Sequence, residues 1–407
     1  MINVAILGYG VVGSGVLEVM QMRKESIKKK TGEEVAVKKI LDIRDFSGDE
    51  NANLFTKDFD EILNDDSIKI VVETIGGATF AYDFTKKALL KGKNVVTSNK
   101  ELVATYGPEL LRLAKENNVS YLFEASVGGG IPIIRPMTKC LLGNEIQWIK
   151  GILNGTTNYI LTSMNNDSID FDVALKQAQE KGYAEANPEA DVEGYDARRK
   201  IAILSSIAYD IFVDSDKIYT KGITAVEPVD FYFANLLGYS IKLIGQSEKL
   251  NGKIFARVSP AMVSNDEMLS NVEDVFNAIV VSGDALGEAI FYGQGAGKLP
   301  TASAVVADVI EAVKHVNKNL EIVWNIPSEN ILVDIDDVEE SFYIRVDGNK
   351  EKATRVLKEL FDGLKFIEAE DVINTVAVVT EKTSYKEMNE KEEKLKEIGN
   401  TLVLPFA

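Results

Sequence analysis

The chain has 407 residues, of which 45% are hydrophobic and 27% charged, a composition typical of a globular protein with two or three domains. Its formal net charge of −18 argues against nucleic acids and membranes as partners, because both attract basic patches. A single cysteine excludes an internal disulfide framework, and a single histidine argues against a histidine-based triad and a zinc site.

The start of the chain has the pattern of a dinucleotide-binding fold. A strand is predicted over residues 2–7, the glycines Gly8, Gly10 and Gly13 follow it, and a helix comes next. In this context the glycines allow a tight turn and a close approach of the pyrophosphate to a helix N-terminus. A glycine-rich turn without a ligand is the alternative. Because the strand begins at once, we expect no signal peptide and a cytoplasmic location.

The second predicted strand, 35–43, bears on the choice of cofactor. An acidic residue at such a strand end typically binds a ribose 2′-hydroxyl, whereas an arginine accommodates a 2′-phosphate. The sequence offers both, as Asp42 and Arg44, with Lys57 further along. NADP and NAD both remain open, and we favour NADP through Arg44. A solvated strand end is the other interpretation of that arginine.

Strands and helices then alternate, which predicts a parallel sheet with crossover helices. The strands are predicted over 68–73, 94–97 and 119–123, and the helices over 79–91 and 108–117. Ligands lie beyond the carboxyl ends of such strands.

Two candidates lie at those strand ends. Lys100, placed on a loop, could polarise a carbonyl or hold a carboxylate, or belong to the plain surface. The stretch 124–131, EASVGGGI, could turn several backbone carbonyls inward towards a hard cation. A glycine hinge between domains is its alternative.

From residue 131 onward the pattern changes. Strands are predicted over 146–153, 241–248, 253–258, 277–281 and 289–292, with a turn at Asn251-Gly252. Helical runs follow Asn154 and cover 171–181. We expect an α+β domain with an open, mostly antiparallel sheet, suited to substrate binding and to dimer formation.

The segment 182–200, GYAEANPEADVEGYDARRK, contains charged residues at positions that a stable fold would normally fill with apolar ones. A helix starting near Asp196 puts Asp196 and Lys200 within an apolar arc. The arc is formed by Ala197, Ile201, Ile203, Leu204, Ile207 and Ala208, and the positions pointing away are Arg198, Arg199, Ser205 and Ser206. A loop before the helix supplies Glu185, Glu189, Asp191 and Glu193. Buried charges are costly unless paired or used, so this is either a structural ion pair or a polar pocket with a lysine proton donor.

The last third of the chain contains a further candidate cofactor residue and then a C-terminal module. Gly297 precedes a helix predicted over 302–314, which we expect to pack on the nucleotide domain. After an acidic linker the order of elements is βαββαβ, as in a ferredoxin-like module suited to regulation or assembly. We predict an α/β protein with a Rossmann-type domain (1–130 plus 293–325), a substrate and dimerisation domain (131–292), a linker (326–340) and this module (341–407).

Taken in order, these motifs resemble those of homoserine dehydrogenases over roughly residues 1–325. The family signature begins just before the 182–200 segment and extends through it, with matches at Ala178, Gly182, Asn187, Pro188, Asp191, Gly194, Asp196 and Lys200. Further matches are GYGVVG, SNK at 98–100, EASVGGGIP, NGTTNY from Asn154 and GQGAGKLPTA. The tail resembles an ACT domain.

The resemblance implies reduction of L-aspartate 4-semialdehyde to L-homoserine with NADPH or NADH, in the pathway to threonine, methionine and isoleucine. It makes Lys200 the general acid, with Lys100 and Asp191 also in the catalytic set. It assigns Glu185 and Asp196 to the substrate's amino group and Gly182 to the pocket. The dinucleotide contacts implied are at Gly10, Val11, Val12, Thr74, Lys100 and Gly297. They add to Gly8, Gly13 and Arg44, which the glycine motif and the strand end indicate on their own. A sodium site would involve Glu124, Val127, Gly129 and Ile131. We expect a homodimer or a higher homo-oligomer.

One departure and two alternatives remain. Ligand-binding ACT domains usually have a Pro-Gly turn after their first strand, whereas this chain has Asp347-Gly348-Asn349, so we do not expect feedback by threonine. Another Rossmann oxidoreductase acting on an aldehyde or imine would not need the Asp196–Lys200 pair. A non-catalytic amino-acid sensor would not need the charged residues kept at positions 100, 185, 196 and 200.

Overall fold

The computed structural model describes residues 1–250, 252–369 and 371–407, which form two compact units. The first unit comprises Met1–Ile146, Ala202–Ser215 and Ser282–Asn330. The second comprises Gln147–Ile201, Asp216–Val281 and Ile331–Ala407. In the part of the chain described, no helix has the length and apolarity needed to cross a membrane.

The N-terminal elements alternate as predicted. They are β1 (Ile2–Leu7), α1 (Val11–Met22), α2 (Lys24–Thr31), β2 (Val35–Leu41), β3 (Phe55–Thr56), α3 (Asp60–Leu63), β4 (Ile68–Glu73), α4 (Thr79–Leu90), β5 (Asn94–Thr97), α5 (Lys100–Glu116) and β6 (Tyr121–Leu122). The strand order is β3-β2-β1-β4-β5-β6, and all neighbours pair parallel. The order reverses between β1 and β4, which is where a doubly wound sheet binds its ligand. The predicted α/β class with a Rossmann-type sheet is confirmed.

Helix α5 differs from its prediction. The sequence pattern places its start at Pro108, whereas the helix begins at Lys100 and contains Pro108 in its interior. The side chain of Asn99 caps it by accepting the N–H of Leu102 at 3.0 Å. This cap starts the helix eight residues earlier, so Lys100 lies on the first helical turn and not on a loop.

The remaining elements follow in chain order. They are β7 (Ile146–Ile152), α6 (Gly155–Asp167), α7 (Phe171–Glu180), α8 (Glu189–Val192), α9 (Tyr195–Tyr209), β8 (Tyr219–Thr220), α10 (Pro228–Leu237), β9 (Tyr239–Leu250), β10 (Lys253–Ser264), β11 (Phe276–Gly283), β12 (Gly287–Gln294), α11 (Lys298–Lys314), β13 (Glu339–Glu340), β14 (Phe342–Asp347), α12 (Lys350–Leu360), β15 (Lys365–Ile367), β16 (Thr375–Val379), β17 (Thr383–Ser384), α13 (Tyr385–Lys396) and β18 (Thr401–Pro405).

The second unit is built on a mixed sheet in which β11, β7, β9, β10 and β8 lie side by side. The pairs β7–β9 and β9–β10 are antiparallel, and β10–β8 is parallel. Strands β9 and β10 pair along their full length, from Tyr239 opposite Ser264 to Leu250 opposite Lys253. Of the predicted turn between them, Asn251 lies outside the described residues.

Helix α9 begins at Tyr195, one residue from the predicted start. Ser205 and Ser206, which the sequence places outside the apolar arc, are also almost fully buried. Ser206 Oγ donates to the carbonyl of Ala202 and accepts the N–H of Val213. The helix is therefore buried around most of its circumference, and hydroxyls that bond to backbone are tolerated there.

The C-terminal segment forms a four-stranded antiparallel sheet in the order β15-β16-β14-β18, with α12 and α13 connecting its strands. Buried ion pairs join it to the rest of the second unit. Arg345 on β14 is fully buried and bonds Asp230 on α10 at 2.8 Å. Arg257 on β10 pairs with Glu340. Phe406 forms a bridge to Met262, so the chain end also contacts β10.

Candidate active site

The glycine turn of the first unit accepts no side chain at its tightest point. A Cβ on Gly13 would lie 2.0 Å from the carbonyl oxygen of Gly8 and 2.9 Å from Thr74 Oγ1. Gly8 itself has a φ of +88°, a conformation that favours glycine. Thr74 Oγ1 lies 3.0 Å from the carbonyl oxygen of Leu7 and 2.9 Å from that of Gly8, so its hydroxyl holds the turn against β4.

The start of α1 is open to a ligand. A Cβ on Gly10 would meet no atom within 4 Å, and Val11 is 67% exposed. No side chain in the described residues caps this helix, whose first N–H groups therefore remain available to an acceptor. A phosphate fits such a terminus because of both hydrogen bonding and the helix dipole. Gly8, Gly10, Val11, Val12 and Gly13 thus form one surface suited to a dinucleotide pyrophosphate.

Asp42 and Arg44 contact each other at the end of β2. One carboxylate oxygen of Asp42 accepts the N–H of Tyr9 at 2.8 Å, and Arg44 bonds both carboxylate oxygens at 2.8–3.0 Å. Arg44 also donates to the carbonyl of Tyr9 at 2.9 Å. These hydrogen bonds hold the pKa of Asp42 well below its usual range, despite burial. The guanidinium is therefore held beside the glycine turn, while its side chain stays 57% exposed.

Gly297 lies next to the same helix. It ends the loop before α11 and has a φ of +123°. A Cβ on Gly15 of α1 would lie 2.9 Å from the carbonyl of Lys298, and Lys298 pairs with Glu18 at 2.7 Å. The structure thus brings the last predicted cofactor residue to the helix that follows the glycine turn.

The glycine-rich stretch 124–131 packs backbone to backbone against the loop before α11. A Cβ on Gly129 would lie 2.4 Å from the carbonyl of Gly295, so the close contact requires glycine. Both carboxylate oxygens of Glu124 accept backbone N–H groups, from Ile133, Ile134 and Arg135, at 2.7–2.9 Å. Glu124, Val127, Gly129 and Ile131 are all buried. Within the described residues no cluster of three or more histidine, cysteine or acidic side chains could hold a metal ion.

Two buried acids near these elements were missed in the sequence. Burial raises the pKa of Glu73, at the end of β4, to about 7, although it accepts hydrogen bonds from Thr97 Oγ1 and the N–H of Ile75. Burial also raises the pKa of Asp308 on α11 to about 7, against the opposing effect of Arg135. The sequence offered a signal for each, since both interrupt apolar runs.

In the second unit, Asp196 and Lys200 form a close buried pair. Lys200 Nζ donates to Asp196 Oδ2 at 2.6 Å and to the carbonyl oxygen of Leu153 at 2.7 Å. Asp196 is 3% exposed and Lys200 is 8% exposed. The i, i+4 spacing on α9 brings the two groups to one face, as predicted, and the end of β7 supplies the carbonyl.

Asn154 joins this pair to a second carboxylate. Its Nδ2 donates to Asp196 Oδ2 at 2.9 Å and to Asp191 Oδ1 at 2.7 Å. Its Oδ1 accepts the N–H of Thr157 and caps α6. The predicted candidates Lys200, Asp196 and Asp191 are thus gathered around a residue for which the sequence suggested no role of its own.

The other predicted substrate residues lie on the exposed segment between α7 and α8. Gly182 has a φ of +75°, and the carbonyl of Glu185 accepts Gln179 Nε2 at 3.1 Å. Thr156, two residues after Asn154, donates its hydroxyl to the carbonyl of Tyr183 at 2.6 Å. This bond ties the segment to the start of α6, beside the helix cap that contacts Asp191 and Asp196.

The homoserine dehydrogenase family matches residues 132–310, and the NAD binding domain of homoserine dehydrogenase matches residues 8–124. The homoserine dehydrogenase of Pseudomonas aeruginosa is 39% identical, over 85% of this chain and 81% of the relative. That of Helicobacter pylori is 42% identical, over 86% and 83%.

Solved structures agree with these relatives. The crystal structure of a homoserine dehydrogenase from Thiobacillus denitrificans superposes with a TM-score of 0.89 at 34% identity, covering 100% of this chain and 98% of that one. A hyperthermophilic archaeal homoserine dehydrogenase in complex with NADPH superposes with a TM-score of 0.65 at 32% identity, covering 76% of this chain and 97% of that one.

A doubly wound parallel sheet with a glycine turn is typical of a dinucleotide-binding domain, and the match to an NAD binding domain places the chain among NAD(P)-dependent oxidoreductases. The relatives narrow this class, since their identity of 39–42% extends over most of the chain. The chain belongs to the homoserine dehydrogenase family.

Proposed function

We propose that the chain reduces L-aspartate 4-semialdehyde to L-homoserine, reversibly, with a nicotinamide cofactor. The observation that carries the proposal is the buried ammonium of Lys200, which is held between Asp196 Oδ2 and the carbonyl of Leu153. Reduction of an aldehyde builds negative charge on its oxygen, and a nearby positioned proton donor stabilises that charge. The family to which the chain belongs supports this reaction over other Rossmann oxidoreductases.

The residues of the chain divide the chemistry between them. When bound, the reduced cofactor supplies a hydride to the aldehyde carbon. Lys200 gives one proton to the aldehyde oxygen, which becomes the alcohol, and regains a proton from solvent. Asp196, with the carbonyl of Leu153, orients the ammonium of Lys200 through a hydrogen bond of 2.6 Å.

The remaining roles concern the substrate. Lys100 assists at the substrate and in the proton path, and Asp191 belongs to the same catalytic set. Glu185 and Asp196 attract the substrate's ammonium group, and Gly182 lines the pocket. The charges support this, since carboxylates in a chain of net charge −18 suit an amino group.

For the cofactor, we propose residues 1–130 with 293–325 as its domain and 131–292 as the substrate and dimerisation domain. Gly8, Gly10, Val11, Val12 and Gly13 hold the pyrophosphate, with Thr74, Lys100 and Gly297 as further contacts. The absence of room for a Cβ at Gly13 and the open space at Gly10 support this fit.

We also propose a preference for NADP. Arg44 lies beside the glycine turn and binds both oxygens of Asp42, which leaves that carboxylate less able to accept a ribose hydroxyl. The expected result for Arg44→Ala is a rise of roughly tenfold or more in the KM for NADPH, because a charged hydrogen bond to phosphate is lost. The KM for NADH is expected to change less than threefold.

The measurement is a titration of each cofactor at fixed substrate and salt. Arg112→Ala is the matched control, because Arg112 is an exposed arginine of the first unit that pairs with Glu116. Equal changes in both KM values in the Arg44 variant would contradict the proposed preference.

A sodium ion at Glu124, Val127, Gly129 and Ile131 is a further proposal. Because backbone N–H groups already occupy the Glu124 carboxylate, the ligands would be backbone carbonyl oxygens. Carbonyl oxygens suit a hard cation. The left-handed conformations of Gly128 and Gly129 support such a turn, with φ values of +71° and +54°.

Two further assignments complete the proposal. We place the enzyme in the cytoplasm as a homodimer or higher homo-oligomer. Residues 341–407 form an ACT-like module after the linker 326–340, and the strand order β15-β16-β14-β18 supports this topology. Its buried contacts with the rest of the second unit, from Arg345 to Asp230 and from Tyr385 to Arg257, suggest a role in assembly rather than in binding threonine.

The test of the reaction is spectrophotometric. NADPH oxidation is followed at 340 nm after addition of L-aspartate 4-semialdehyde, and we expect turnover in the range common for enzymes, roughly 1–1000 per second. A folded protein that binds NADPH without oxidising it would favour the non-catalytic sensor. Turnover of other amino-acid-derived aldehydes alone would favour a different oxidoreductase.

A further inference from the structure

One side-chain amide in the second unit, that of Asn154, bonds two carboxylates. Asn154 donates through Nδ2 to Asp196 Oδ2 and to Asp191 Oδ1. The orientation of the amide follows from its partners, because carboxylates only accept and the Thr157 N–H only donates. Asn154 is 5% exposed, so water does not replace these bonds readily.

We propose that Asn154 is a positioning residue of the reaction, which sets the Asp196 carboxylate so that Lys200 presents its proton to the substrate. The assignment deepens the proposed function and rests on Lys200 as the acid. Asn154 does not contact the reacting atoms in this scheme. It acts through Asp196, whose Oδ2 receives hydrogen bonds from both Asn154 and Lys200.

Three geometric features support the proposal. First, the residue before Asn154 supplies the second acceptor of Lys200, the carbonyl of Leu153 at 2.7 Å, so the backbone at 153–154 and the amide of Asn154 together fix the ammonium. Second, Asn154 is the cap of α6, a helix of 13 residues, which anchors it. Third, the amide group bridges two carboxylates by donating one N–H to each, which a hydroxyl or a carboxylate could not do.

The chemical consequence is control of the orientation of the Lys200 ammonium. Lys200 has three N–H donors, and two are committed to Asp196 and Leu153. With Asp196 held in place, the ammonium group of Lys200 has a defined position. If Asp196 is free to rotate, the ammonium follows it, and misplacement of a reacting group by about 1 Å costs roughly 100-fold in rate.

Two variants separate positioning from folding. Asn154→Ser keeps an oxygen that can cap α6 but cannot donate to both carboxylates. Asn154→Asp keeps the cap, loses both donors and adds a third carboxylate. Asn349→Ser is the matched control, because Asn349 caps α12 in the same unit by accepting the N–H of Lys352 at 2.9 Å.

The full-length enzyme is assayed with L-aspartate 4-semialdehyde and NADPH. We expect kcat to fall roughly 10- to 100-fold in Asn154→Ser and further in Asn154→Asp. The NADPH dissociation constant is expected to stay within twofold of the parent, and the melting temperature close to that of Asn349→Ser. The solvent deuterium isotope effect on kcat should increase, because proton transfer becomes slower relative to the other steps.

The results that would overturn the role of Asn154 differ from the result that would overturn the proposed function. If the parent enzyme lacks activity, the proposed function fails. If the parent is active and Asn154→Ser keeps kcat within twofold, positioning by Asn154 is wrong. Loss of kcat that only parallels loss of folded protein in both variants assigns Asn154 to folding and overturns the proposal, as does an unchanged solvent isotope effect.

Discussion

Replacing Lys200 by methionine is expected to lower kcat for L-aspartate 4-semialdehyde by roughly 100- to 10,000-fold, the usual contribution of a positioned general acid. Methionine is close to lysine in length and has no proton to give. The KM for NADPH should change little. The measurement is NADPH oxidation at 340 nm, with Lys200→Ala tested alongside to show that the loss does not depend on the chosen side chain.

Lys242→Met is the matched control for that variant. Lys242 is also a lysine of the second unit, 5% exposed, and donates to the carbonyl of Val272 at 2.7 Å. Burial lowers its pKa to about 8, so its removal tests the loss of a buried ammonium without a role in the reaction. We expect kcat within threefold of the parent. Activity retained in Lys200→Met would remove the proposed acid.

Substitution of Lys200 affects the stability of the protein as well as the reaction, because Lys200 is one partner of a buried ion pair. Removing one partner of a buried pair costs about 3–5 kcal/mol, because the other charge is left uncompensated. Asn154 donates to Asp196 and reduces that cost in the Lys200 variants. The difference in melting temperature between Lys200→Met and Lys242→Met therefore measures the effect on stability. The difference in kcat between the same two variants measures the effect on catalysis.

Local sequence patterns predicted the elements that position the site. Strands β4 and β5 have the predicted bounds, and α9 starts one residue before its predicted start. These segments combine regular apolar spacing with glycine or polar residues at their ends, so neighbours in sequence determine them. The glycine turn after β1 was identifiable for the same reason.

The errors have physical causes. Pro108 is a residue typical of a helix start, yet the Asn99 cap begins α5 earlier, so two valid local signals competed. Helix α10 was missed although Pro228 stands at its start and Glu227 forms a capping box with Asp230. The signal was present in the sequence but was short and lacked a long apolar period.

Asn154 could not be assigned from sequence because its partners are distant along the chain. Asp191 is 37 residues away and Asp196 is 42 residues away. The pattern around Asn154 indicates only a helix cap, and the second use of the same amide depends on how β7, α8 and α9 pack. Contacts of this range are a property of the tertiary fold.

The second large effect is expected at the glycine turn. Substitution of one glycine there is expected to disturb folding, and substitution of another is expected to affect only cofactor binding. Gly13→Ala places a Cβ 2.0 Å from the carbonyl oxygen of Gly8, a distance that requires the backbone of β1 or α1 to move. Overpacking of this kind costs about 1–3 kcal/mol or more, so we expect a lower melting temperature together with loss of NADPH binding.

Gly10→Ala is its counterpart. A Cβ there meets no atom within 4 Å, and the φ of −79° is accessible to alanine, so the melting temperature without cofactor should match that of the parent. The methyl group would instead occupy the approach of the pyrophosphate, and we expect NADPH binding to weaken by roughly tenfold or more. Thermal unfolding with and without NADPH measures both effects, since at a fixed concentration a ligand that binds more tightly raises the melting temperature further. Unchanged NADPH stabilisation in Gly10→Ala would show that the dinucleotide does not approach this turn, because the only physical change in that variant is a methyl group at the start of α1.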